Sequence, residues 1–116
     1  MTATASFVQA TDAASGTGAK TIADTMSIPI GSVVTACITV PSVSSNSADN
    51  NETGTITVGG ISVSAALAQA AMAAGNVNTD TTGGVTTSAA NIGITIAGEN
   101  PSHGAMDIII EYYLID

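Results

Sequence analysis

Apolar and polar residues alternate through several short stretches of the chain, and clusters of Gly, Asn, Thr and Ser separate those stretches. In "SIPIGSVVTACITVPSV", Val34, Ala36, Ile38 and Val40 fall on one strand face, while Thr35, Cys37 and Thr39 fall on the other with Val33. Pro29 and Gly31 punctuate the start of this run, and Pro41 marks its exit. Upstream, "KTIADTMSI" and "FVQA" carry the same signal with fewer apolar positions. Residues 44–54, "SSNSADNNETG", are polar and predict an exposed loop.

"TITVGGISVS" puts Ile56 and Val58 on one face, turns at Gly59-Gly60 and resumes with Ile61 and Val63. Two consecutive glycines supply the positive φ of a tight hairpin turn. "SAALAQAAMAAG" predicts a helix that Ser64 caps and Gly75 ends. Its apolar surface is small, so the helix is short and laid against a sheet. "NVNTDTTGGVTTSAAN" reads as a connection with a short edge strand around Val85.

The chain closes on two more alternating runs. Ile92, Ile94 and Ile96 share one face of the first. Met106, Ile108, Ile110, Tyr112 and Leu114 share one face of the second, and Asp107, Ile109, Glu111, Tyr113 and Ile115 share the other. That second face mixes charge with bulk, so it is neither a clean solvent face nor a full core. A run of this kind predicts a central strand, held by neighbours on both sides, whose removal unfolds the domain. The expected fold is all-β: a β-sandwich or jelly roll of about six to eight short antiparallel strands with one short helix. Residues 1–20 are expected to form an N-terminal arm and residues 21–116 a single β-sandwich domain.

A chain of 116 residues suits one domain, and one of that length buries roughly two-thirds of its unfolded surface. The only aromatics are Phe7, Tyr112 and Tyr113, so the core must be built from Val, Ile, Leu and Met. Nine acidic residues stand against Lys20 alone, for a formal net charge of −8. Such a chain cannot neutralise phosphates, which argues against nucleic acid as a partner, and an anionic membrane surface would repel it. The charge either keeps the chain soluble or guides it to a basic protein partner. No apolar run approaches the ~18 residues of a membrane span, and "MTATASFVQATD" lacks the basic and apolar regions of a secretory signal.

Candidate chemistry is sparse. Cys37 is the single cysteine and sits mid-run, as a small buried hydrophobe would. One histidine, His103, without a second nitrogen ligand or a cysteine cluster does not make a zinc site. Ser102, His103 and Asp107 are too close along an extended chain to reach triad geometry. Asp49, Asn50, Asn51 and Glu52 offer oxygen ligands to calcium, but their spacing fits no EF-hand loop and a solvated loop is the simpler reading. "TGGV" and "VGGI" lack the Lys-Ser/Thr of a phosphate loop, so these glycines make turns. No catalytic residue, cofactor or metal is expected.

"IPIGSVVTACITV", "GTITVGG", the Ala/Leu stretch ending in "AAGNV", "NIGITIAG" and "GAMDIIIEYYLID" follow one another in that order. Over about residues 22–116 this pattern resembles the small jelly-roll structural proteins of tailed bacteriophages, which include capsid decoration or cement proteins. The Pro-x-Gly before a Val-rich strand and the Glu111-Tyr112 of the closing strand carry the resemblance. It departs from many relatives in its scarce Arg and Lys and its alanine-rich middle. The resemblance implies a virion location on the capsid surface, with assembly in the host cytoplasm. It also implies the major capsid protein as partner and a homo-oligomer, dimer or trimer. Phe7, Ile109, Tyr113 and Ile115 are the candidate contact residues, since interfaces favour exposed apolar and aromatic side chains; the competing reading places them in a second core layer. A phage tail or fibre attachment module and a secreted adhesion or carbohydrate-binding module are the alternative functions.

Overall fold

The computed structural model describes residues 1–9, 16–22, 27–86 and 89–114. They form two antiparallel five-stranded sheets packed face to face. In chain order the strands are β1 (Thr2–Val8), β2 (Gly18–Thr21), β3 (Ser32–Asn46), β4 (Thr53–Val58), β5 (Ile61–Ser62), β6 (Leu67–Ala68), β7 (Asn78–Asp80), β8 (Gly84–Val85), β9 (Ile92–Ala97) and β10 (His103–Leu114). One sheet runs β1-β10-β3-β7 with β8 also on β3, and the other runs β2-β9-β4-β5 with β6 also on β4. The all-β sandwich expected from the alternation is the observed fold.

The closing run is a central strand. β10 pairs with β1 on one side and β3 on the other, and its inward residues Met106, Ile108, Ile110 and Tyr112 are buried. They meet Ile56 and Val58 of β4 and Ile92, Ile94 and Ile96 of β9, all likewise buried, in one hydrophobic core. The hairpin also forms as expected: Val58 pairs with Ile61 across Gly59 and Gly60, both at positive φ.

Four expectations change. Thr2–Val8 lie within a sheet rather than on an arm apart from it: Ala3, Ala5 and Phe7 point into the core while Thr2, Thr4 and Ser6 point out. Alanine carries little hydrophobic signal, which hid this strand. Pro41 does not end β3, which continues to Asn46; Pro41 sits beside a register shift opposite Met106, where a missing N–H costs no ladder bond. A bulge at Thr35, between the Ala36–Glu111 and Val34–Tyr112 pairs, reverses the alternation of β3. Beyond it Cys37 and Thr39 turn inward, and Ile38 and Val40, expected in the core, are only half-buried.

The predicted helix is a single 3-10 turn, Gln69–Met72. Leu67 is drawn into pairing with Gly54 instead, and the Ser64 hydroxyl accepts from the Ile56 N–H and donates to the Ala65 carbonyl. What remains is shorter than an α-helical nucleus needs. Met72 is buried over Gly54, where an added Cβ would come within 3.1 Å of its sulfur.

Burial, with a smaller contribution from the Asp80 carboxylate, pushes the Cys37 thiol up to about 12. The thiolate is the reactive form. Labelling of native protein with a thiol reagent at pH 8 is therefore expected to wait on unfolding, whereas denatured protein reacts at once. Rapid stoichiometric labelling under native conditions would contradict this placement.

Candidate interaction surface

The outward faces of the two sheets differ in chemistry. The β2-β9-β4 face presents Thr53, Thr55, Thr57, Thr95, Gly93 and Ala19, which are small or hydroxylated. The β1-β10-β3 face carries bulk. There Ile109 pairs with Ile38, and Tyr113 pairs with Val33, which pairs in turn with Val85. Tyr113 is 51% exposed and Val85 53%, with Ile109, Ile38 and Val33 half-buried. Asp107 and Glu111 lie among these rows on the same face of β10, both exposed. Ser6 Oγ donates to Asp107 Oδ1 at 3.0 Å, which fixes that carboxylate at the margin of the Ile109–Ile38 pair. The result is an apolar surface with two carboxylates set among its rows, one of them held by Ser6.

Sequence reasoning placed Ile109 and Tyr113 on this face, and both are there. Phe7 is corrected: at 4% exposure it belongs to the core, because β1 is a sheet strand. Ile115 lies outside the described residues. Ile38, Val33 and Val85 were missed as members of the surface. For Ile38 the alternation pointed inward, and only the bulge at Thr35 turns it out.

The polar candidates take structural positions. Glu52, expected in a solvated loop, is 1% exposed; Ser45 Oγ and Ser47 Oγ each donate to its carboxylate at 2.7 Å. Both oxygens are thereby engaged by protein. The Ser47 hydroxyl nearby and the Asp49 N–H, which donates to Glu99 at 2.9 Å, hold the Glu99 carboxyl below the usual range. Ser102 Oγ and His103 Nδ1 are 3.1 Å apart, but Asp107 is bonded to Ser6 rather than to the imidazole. Among the described residues no three His, Cys, Asp or Glu side chains converge as metal ligands would.

Comparison with known structures places this architecture. The fold is shared with chains of phage capsid structures. One belongs to the acidic stable capsid of Helicobacter pylori bacteriophage KHP30, with a TM-score of 0.61 at 14% identity over 98% of this chain and 86% of that one. Another belongs to the capsid asymmetric unit of cyanophage Pam1, with a TM-score of 0.60 at 18% identity over 99% of this chain and 84% of that one. No protein-family model matches the sequence, and no curated protein is significantly similar to it. At such identities the likeness is one of fold.

Proposed function

We propose that the chain is a virion structural protein: a capsid decoration, or cement, protein that binds the outside of the phage head and stabilises contacts between capsid subunits. One observation carries this reading above the others: the apolar outer face of β1-β10-β3 with its two interspersed carboxylates, in a fold shared with chains of phage capsid structures. The apolar side chains supply buried area, and the carboxylates between them select a partner with basic residues set among apolar ones. The partner is the major capsid protein. Many symmetric copies on one shell convert a modest area per copy into a large total. No reaction and no cofactor enter into this role.

Co-sedimentation with expanded heads of the phage that encodes the chain tests it. Wild-type protein is expected to pellet with heads, saturably, at moderate salt. Tyr113→Asp puts a carboxylate in place of a ring that is 51% exposed and faces out of the sandwich; it is expected to weaken binding at least about tenfold while the melting temperature stays near wild type. Failure of wild-type protein to pellet with heads would contradict the decoration role.

A further inference from the structure

The sandwich guards all but one of its described sheet edges. An edge strand exposes unpaired N–H and C=O groups, and proteins blunt such edges with short strands, charges, prolines or bulges. β5, β6 and β8 have two residues each and β7 has three. β2 has four and contains Lys20. β1 has seven, "TATASFV", with no charge, no proline and an unbroken register against β10.

Its hydrogen-bonding direction follows from one pair. Met1 and Tyr112 exchange both backbone bonds, each at 2.9 Å. Bonded and non-bonded pairs alternate along an antiparallel ladder, so Ala3, Ala5 and Phe7 aim their backbone groups at β10, and Thr2, Thr4 and Ser6 aim theirs away from the sheet. The outward set is self-complementary. A second β1 laid antiparallel about Thr4 brings Thr4 against Thr4, Thr2 against Ser6 and Ala3 against Ala5. Each outward pair then exchanges two backbone bonds, and the hydroxyl side chains meet as favourable cross-strand pairs. The same register sets Met1, 64% exposed, beside Phe7 of the other copy and covers apolar surface.

We infer that β1 is a strand-addition site for a second copy of this chain, joining two β1-β10-β3 sheets across a two-fold axis. Charge permits it although each copy carries −8. Among the described residues the acidic side chains nearest the edge, Asp107 and Glu111, stand one strand in, on β10. Three strand spacings, ~14 Å, therefore separate the two carboxylate rows, beyond the ~8 Å screening length at physiological salt. This inference is independent of the capsid reading, and either can fail alone.

Analytical ultracentrifugation across protein concentration tests it, on wild type, Thr4→Pro and Thr4→Lys. Proline removes an outward N–H that β10 does not use, a position edge strands tolerate, and lysine sets two like charges together at the axis. Wild type is expected to dimerise with a dissociation constant on the order of 10 µM, as suits a small interface. Both variants are expected to raise that constant at least about tenfold with unchanged melting temperature; should the proline variant misfold, the lysine variant decides. A wild type that stays monomeric up to ~1 mM, or variants that dimerise as wild type does, would overturn the inference.

Discussion

Deletion of residues 106–116 is expected to abolish folding: the truncated chain should be insoluble, or soluble without a cooperative unfolding transition. Met106, Ile108, Ile110 and Tyr112 are each at most 7% exposed, and each such side chain contributes ~1.5–3 kcal/mol by burial. Their sum approaches the whole net stability of a small domain, ~5–15 kcal/mol. The loss does not stop at the side chains. Among the described strands β1 pairs only with β10, and β3 loses its longest partner, so the sheet order β1-β10-β3-β7 is cut at its centre. Circular dichroism with thermal melting checks this. A truncated chain that melts cooperatively near the wild-type temperature would show that the sandwich closes without its last strand.

Glu52→Ala is expected to destabilise the domain by ~3 kcal/mol. The truncation removes packed atoms from a site at 1% exposure and strands two serine hydroxyls that now donate to the carboxylate. Leaving a buried donor unsatisfied costs ~1–3 kcal/mol, and the cavity adds to it. Glu52→Gln preserves the shape, and one amide oxygen still accepts, so its cost should be nearer ~1 kcal/mol. Urea unfolding of the three proteins measures both differences. A Glu52→Ala protein within ~0.5 kcal/mol of wild type would mean that this carboxylate is solvated and the serine bonds do not hold.

These two sites mark what sequence pattern conveys and what it does not. In β10 the alternation is long and regular, its inward residues are large, and both the strand and its central place were legible. The Gly59-Gly60 hairpin was legible because a tight turn demands positive φ. β1 was obscured because alanine buries little area yet packs well beneath a sheet. Ile38 and Val40 were assigned to the wrong face because one extra residue at Thr35 inverts everything beyond it, and a bulge leaves no mark in composition. Glu52 was hidden more deeply: its neighbours are polar, and only the fold brings Ser45 and Ser47 onto its two oxygens. For the interaction surface, Ile109 and Tyr113 were visible as bulk on the mixed face of β10. Their companions Ile38, Val33 and Val85 required the register of three strands.

The central claim is that this chain works by contact through the outer face of β1-β10-β3. A cryo-electron microscopy reconstruction of the virion, at a resolution that separates strands, tests it most directly. The account predicts density for the sandwich on the outside of the head, with Ile38, Ile109 and Tyr113 turned toward the capsid subunits beneath. A head surface without that density, or a bound sandwich turned so that the threonine face of β2-β9-β4 meets the shell, would contradict it.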